Sequence, residues 1–300
     1  MIRLGVVDFD TSHSIEFTKR LNHRLCPEDQ WVDGAEVVVG CVFPSAITPQ
    51  EIIDRYVDTF TKEFGLPLVD HPEKMLGRID GVFIEAVDGS VHLERALPFL
   101  NAGVPLFIDK PFTCSVAEAR DLIRTTERNN VPIFSSSSLR YAPEVVEFLA
   151  RREETGAVIG CEAFSPASLH PRNPGLCHYG IHGVETLYAL MGAGCETVGC
   201  TETEGTTMVT GRWKDGRIGT LRGIRQGAGG YGATLFCEKG IYHLPMGTNF
   251  IYRELLKQVV SFFQTGQPPV APAVTLEIIA FIEAALASAR AGGQAQVLEV

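Results

Sequence analysis

Two clusters carry the functional groups best suited to chemistry. In Asp109-Lys110-Pro111 a lysine follows the apolar run Val104–Ile108 directly and precedes a proline. A lysine fixed there can donate a hydrogen bond or proton to a ligand; the plainer reading is a surface lysine in a turn. The second cluster is Cys177-His178-Tyr179-Gly180-Ile181-His182-Gly183-Val184-Glu185. His178 and His182 would share a helix face, but Gly180 favours a helix that begins near Ile181. Either imidazole can exchange a proton near neutral pH, so each is a candidate general acid or base. A metal would need Glu185 or Cys177 as a third ligand, and the spacing is not that of a His-Glu-x-x-His zinc helix, so no metal is expected. Two structural histidines under a helix start remain the alternative. Upstream, His170-Pro171-Arg172-Asn173-Pro174 offers His170 and Arg172, the latter a clamp for an anion or sugar hydroxyl unless it is merely solvated. The run Ser135–Ser138 before Leu139-Arg140-Tyr141 suits hydrogen bonding to a polyol, or a domain-crossing linker.

The elements that must position these groups change character along the chain. The first 135 residues alternate strand-like and helix-like segments: Ile2–Val7, a helix from Ser14 to Leu25, and the valine-rich Ala35–Phe43. Thr48-Pro49-Gln50-Glu51 reads as a capping box for a helix bearing Ile53, Tyr56, Phe60 and Phe64 and stopped by Gly65. Gly81–Glu85 and Val104–Ile108 are buried strands, with a helix Val91–Asn101 between them that Pro98 should kink or end. Ser115-Val116-Ala117-Glu118 opens a helix to about Arg128, and Val131–Ser135 is one more strand. This rhythm implies a parallel sheet. In such a sheet ligands bind beyond the carboxyl ends of strands. Those positions hold Asp8-Phe9-Asp10-Thr11-Ser12-His13, Pro44-Ser45, Val87-Asp88-Gly89 and Asp109-Lys110.

After Ser137, strands follow one another at Gly156–Phe164, Thr197–Thr203, Thr206–Trp213, Ile218–Arg225, Tyr231–Cys237 and Ile241–Leu244, with a hairpin turn at Asp215-Gly216. Helices are expected at Pro143–Arg152, His182–Met191, Tyr252–Thr265 and Thr275–Arg290. The fold class is therefore α/β: a Rossmann-type parallel sheet over residues 1–137, then an α+β domain with an open, mainly antiparallel sheet over 138–300. The last helix is a candidate to pack back on the first domain.

Composition sets limits on partners. The net charge of −10 argues against nucleic acid or an anionic membrane. The N-terminus is too short in apolar residues and too acidic for a signal peptide, and no later run approaches membrane-spanning length. Eight cysteines without a Cys-x-x-Cys pair suit reduced thiols in the cytoplasm.

Together these residues resemble the Gfo/Idh/MocA family of glucose–fructose oxidoreductase and inositol dehydrogenase. The resemblance is carried by Asp80–Ala86, His92 and Ala102–Pro111, by Leu139–Pro143, by Gly180-Ile181-His182 with Glu185 and Leu190-Met191-Gly192, and by Ala284–Arg290. It implies hydride transfer between NAD or NADP and a sugar, cyclitol or related polyol. Lys110 would match the family's catalytic lysine, Asp109 the glutamate before it, and His182 its catalytic histidine, with His178 where the family has an aspartate. Asp8, Asp10, Thr11, Ser12, His13, Ser45, Val87, Asp88, His92, Asp109 and Lys110 would face the cofactor, and Arg140, His170, Arg172 and Tyr179 the substrate. A homodimer or homotetramer is implied, because the second domain's exposed sheet face needs covering.

Two departures stand out. His178 cannot supply an aspartate's fixed negative charge. More seriously, Asp8–His13 replaces Gly-x-Gly-x-x-Gly, whose glycines allow close approach to a pyrophosphate at a helix N-terminus. Side chains there should obstruct that approach and two carboxylates should repel phosphate. No acidic residue ends the second strand to hold a ribose. A non-catalytic or cofactor-free relative that binds a carbohydrate-like ligand or a protein partner is thus the competing reading, and a new polar or metal site built from Asp8, Asp10 and His13 a further one.

Overall fold

We describe the protein from a computed structural model covering residues 1–300. The chain divides into two compact units. The first comprises residues 1–113, 117–136 and 252–272, and the second comprises 114–116, 137–251 and 273–300.

The first unit is built on six strands: β1 (Ile2–Val7), β2 (Ala35–Cys41), β3 (Leu68–Val69), β4 (Gly81–Ile84), β5 (Leu106–Ile108) and β6 (Ile133–Ser135). They lie in the order β3-β2-β1-β4-β5-β6, every neighbouring pair parallel. Short Val/Ile/Phe runs buried on both faces give this arrangement, and β4 and β5 are buried at every position. Between the strands run α1 (His13–Leu21), α2 (Gln50–Asp58), α3 (His92–Asn101) and α4 (Val116–Asn129). A row of rings, Phe17, Phe83, Phe107, Phe134 and Phe262, packs in tilted or edge-to-face pairs at centroid spacings of 5.3–5.8 Å between successive members. Phe83 also meets Phe263, for which Gly81 leaves the room: a Cβ there would stand 2.6 Å from the Phe263 ring.

Local differences from expectation have identifiable causes. Helix α1 stops at Leu21, and His23 and Leu25 take left-handed backbone. Thr48 does not cap α2; its hydroxyl donates to the Asp10 carbonyl instead, and the helix passes into a wider π turn at Thr59–Glu63 before Gly65. Pro98 neither breaks nor shortens α3.

The second unit holds α5 (Pro143–Ala150), the single turn α6 (Arg152–Thr155), β7 (Val158–Pro166), α7 (Ile181–Met191), β8 (Cys195–Glu202), β9 (Thr206–Trp213), β10 (Ile218–Ile224), β11 (Tyr231–Cys237) and β12 (Gly240–Met246). Then come α8 (Ile251–Thr265), α9 (Pro272–Arg290) and β13 (Gln296–Val297). The sheet order is β12-β11-β7-β10-β9-β8-β13, antiparallel throughout except for β7 beside β10. Gly216, at φ +88°, turns β9 into β10 as the Asp-Gly signal requires.

It is α8 from Tyr252 onward, not the last helix, that belongs to the first unit; α9 lies in the second from Ala273. Phe262 and Phe263 on α8 explain its place, since they complete the ring row under the parallel sheet. Contrary to expectation, α9 is long and apolar enough to cross a membrane, with 19 residues and a mean hydropathy of 1.6. Its apolar surface instead belongs to the core, where Ile278, Ile279, Phe281, Ile282 and Ala285 are buried.

Candidate functional site

At the carboxyl ends of β1, β2 and β4 the first turn is ordered by its own side chains. Asp8 sits at φ +71°, the left-handed conformation a glycine usually supplies, so the tight turn survives without one. Its carboxylate accepts from Arg95 Nε at 3.2 Å, and the Arg95 guanidinium lies over the Phe43 ring at 3.7 Å. Burial pushes the Asp8 carboxyl up to about 7, although Arg95 works against it. Phe9 is fully buried against Phe60, in space opened by Gly40, whose Cβ would stand 2.7 Å from the Phe9 ring. Asp10 reaches across the strand ends: one carboxylate oxygen accepts the Ser45 hydroxyl at 2.6 Å and the other the Val87 amide at 3.0 Å. Thr11 and Ser12 form the lip of α1, with the Ser12 carbonyl accepting the Ile15 and Glu16 amides.

His13 turns inward. Its Nδ1 is 2.7 Å from Asp109 Oδ2 and 3.9 Å from Glu85 Oε2, while its ring stacks on Phe17 and meets the edge of Tyr252. Lys110 Nζ is 4.0 Å from the same Asp109 oxygen, and the Lys110–Pro111 peptide is cis. Burial alone would raise the Asp109 carboxyl, but the charges of His13 and Lys110 prevail and bring it down to about 2. Glu85, wholly buried, is driven well above the ordinary carboxylate range by desolvation and by the Asp109 charge. Only 8% of Lys110 is exposed, so it is no ordinary surface lysine.

Several expectations need correction. Asp8, Asp10 and His13 do not converge on one site; each has a different partner. The repulsive pair of carboxylates is tempered, since Asp8 is held by Arg95 and Asp10 by two donors. His92 presents no edge to a cofactor: its two ring nitrogens lie 3.0 Å from the Phe112 carbonyl and 2.8 Å from that of Ala86. Asp88 caps a local turn, accepting the Ser90 amide and hydroxyl. Glu85, Arg95 and Tyr252 were not read as site residues. A carboxylate closing an otherwise apolar parallel strand was the one signal that pointed to Glu85.

In the second unit, α7 carries His182. Gly183 seats the helix directly on the sheet: a Cβ there would lie 2.5 Å from Leu221 and 2.6 Å from Ser165 Oγ. His182 is the second residue of the helix, and its Nδ1 is 2.7 Å from Ser137 Oγ. The Tyr179 ring meets it edge-on at 4.9 Å, and the Tyr179 hydroxyl is bonded to that of Tyr231. His178 lies in the turn before the helix, beside His170 at 5.3 Å, so the two histidines of the cluster do not share a helix. Arg140, expected at the substrate, is engaged instead by Glu185 at 2.6 Å, both side chains largely buried. Arg172 is exposed on its loop, where its amide lies 3.3 Å from His170 Nδ1.

Residues 45–137 match the model of the GFO_IDH_MocA family, described as an oxidoreductase family with an NAD-binding Rossmann fold. The first turn, Asp8–His13, lies outside the matched stretch. No curated protein sequence matches the chain. Among solved structures, myo-inositol 2-dehydrogenase from Lactobacillus plantarum is similar with a TM-score of 0.80 at 14% identity over 99% of both chains. Scyllo-inositol dehydrogenase from Lactobacillus casei gives 0.80 at 14%, over 99% of this chain and 98% of that one. An oxidoreductase from Agrobacterium radiobacter, in complex with NAD+, L-tartaric acid and magnesium, gives 0.78 at 14%, with 99% and 98% covered. The whole chain thus shares the fold of these solved oxidoreductases.

Proposed function

We propose that this Gfo/Idh/MocA-type protein is an NAD(P)-dependent oxidoreductase acting on a sugar, cyclitol or related polyol. The observation that carries the reading is Lys110: buried, two residues after β5, and held beside an ionised Asp109.

The first turn is compatible with a dinucleotide despite its lost glycines. Asp8 keeps the glycine-like backbone, the carboxylate of Asp8 is turned to Arg95, and His13 points inward. Asp10 alone lies across the strand ends. Its contact with Ser45, just beyond β2, keeps a carboxylate near the end of that strand, where it would accept a ribose hydroxyl in place of the missing acidic residue. Thr11 and Ser12, at the start of α1, would face the phosphates. When bound, the nicotinamide supplies or accepts the hydride.

The chain's own residues handle the proton. Lys110 donates to the developing alkoxide or carbonyl oxygen, its ammonium held by Asp109. Ser137 holds His182 at Nδ1, which leaves proton exchange to Nε2 as general base or acid. His178, Tyr179, His170 and Arg172 offer polar groups suited to hydroxylated ligands. The eight free thiols accord with a cytoplasmic setting.

Titration with NADH and NADPH, followed by nicotinamide fluorescence, tests the reading directly. Saturation in the micromolar range, about 8 kcal/mol of binding, is expected for one of them. No response to either at millimolar concentration overturns it in favour of the cofactor-free alternative.

A second expectation concerns assembly. Phe164, Ile218, Phe236 and Ile241 stand 37–61% exposed on strands of the open sheet. Phe236 and Ile218 both pair with Gly160 and Ile241 pairs with Phe236, so three of them lie along one row. A second copy of the chain would cover this face. Light scattering should report a dimer or tetramer, and Ile218→Glu with Phe236→Lys should give a monomer. A monomeric parent protein refutes it.

A further inference from the structure

We infer that His13, Glu85 and Asp109 form a binding site for one divalent first-row transition metal ion, of the zinc or cobalt kind. The inference does not depend on the dinucleotide reading.

The argument starts from Glu85. It is 0% exposed, and neither carboxylate oxygen has a hydrogen-bond partner. A buried carboxylate without donors costs several kcal/mol, and native proteins supply a partner, a proton or an ion. Glu85 is aimed at a group that can share an ion: the His13 nitrogen, the Glu85 oxygen and the Asp109 oxygen all lie within 4.8 Å of one another. Tetrahedral coordination at zinc–nitrogen and zinc–oxygen lengths places donor atoms about 3.3 Å apart. The observed separations from His13 Nδ1, 2.7 Å to Asp109 and 3.9 Å to Glu85, bracket that value. The Glu85 and Asp109 oxygens lie within 4.8 Å of each other, so shifts on the order of an ångström would bring all three onto one ion.

Charge and ligand type point the same way. Two carboxylates and a neutral imidazole offset a divalent cation in this buried site, with the Lys110 ammonium 4.0 Å from Asp109 the remaining positive charge. The imidazole selects against magnesium and calcium, which take all-oxygen sites, and for first-row ions such as zinc and cobalt. The ligands are also held rigidly, as a metal site requires. Glu85 follows β4 and Asp109 follows β5 directly, and His13 opens α1 with its ring stacked on Phe17 and against Tyr252. Three protein donors leave a fourth position for water or a ligand. His13 stands at the third glycine position of the usual dinucleotide turn, where a glycine lets helix and strand pack closely. Here that space is given to a metal-binding side chain.

The rival account is a proton on Glu85, with the imidazolium of His13 paired to Asp109 and no metal at all. Protein freed of metal by chelator and dialysis, then titrated with Co2+, separates the two. One Co2+ per chain should bind at micromolar concentration or tighter, with a visible absorption band of tetrahedral or five-coordinate type and a rise in Tm. Zn2+ should displace it and millimolar Mg2+ should not. Glu85→Gln, close to isosteric, should weaken binding about 100-fold while removing the unpartnered charge, so it should fold at least as well as the parent. Asp109→Asn provides a second variant should the first lose its circular dichroism spectrum. Absence of saturable Co2+ binding in the parent protein, or binding unchanged in a folded Glu85→Gln or Asp109→Asn variant, overturns the inference.

Discussion

Lys110→Met should lower kcat by about a thousandfold, within the span that positioned acid–base groups contribute. The fold should be retained, because Asp109 keeps its hydrogen bond to His13 when the ammonium is gone. The effect should fall on kcat more than on KM, since the lysine acts on charge that develops during the reaction. His182→Ala should cost a similar factor, leaving Ser137 without its imidazole partner. The measurement is initial-rate kinetics with whichever cofactor binds, over a panel of cyclitols and sugars, beside thermal unfolding of each variant. Turnover within tenfold of the parent in both variants would show that neither residue has the role proposed.

The largest effect on stability is expected at Arg95. Arg95→Leu leaves the Asp8 carboxylate buried and unpaired, and breaking one side of such a pair costs about 3–5 kcal/mol. The cost should depend on pH in a direction that can be worked out. In the folded parent Asp8 titrates at about 7, against an ordinary value of 3.8. The folded state therefore holds this proton more tightly than the unfolded one. Its contribution to stability is present below pH 4 and is lost as pH rises through 7. Without Arg95 the folded carboxyl titrates higher still. The difference between parent and variant should then be about 1.4 kcal/mol larger at pH 8, one unit above the parent's titration, than at pH 5, where Asp8 is neutral in both. Asp8→Asn combined with Arg95→Leu should remove most of the pH dependence, because asparagine tolerates the left-handed backbone at this position. Urea unfolding across pH 5–8 checks it; a penalty that does not vary with pH would mean that Asp8 and Arg95 are not coupled.

The layered plan was legible because both sheets are written in local patterns. Short Val/Ile/Phe runs marked the parallel strands, and Asp215-Gly216 marked the hairpin between β9 and β10. Lys110 and His182 could be singled out by neighbours in sequence. What could not be read were partnerships across long sequence separations. Arg95 is 87 residues from Asp8, and His13 is 96 from Asp109. Thr48 looked like a helix cap because serine, threonine and glutamate spacing says so, yet a nearby carbonyl competed for its hydroxyl. His92 had the right chemistry for a ligand contact, but two backbone carbonyls had already taken its ring. The apolar α9 could not be assigned to one unit or the other, since a core helix carries no label for the core it enters.

The bonds Asp10 makes to Ser45 and Val87 have a consequence for how a ligand is admitted. They tie three strand ends together through protein groups alone, so the loop needs no ligand to acquire its shape. Its amides, that of Val87 foremost, should exchange slowly with deuterium in the ligand-free protein. A ligand arriving there meets a surface already set, and association should be free of the entropic cost of ordering a loop.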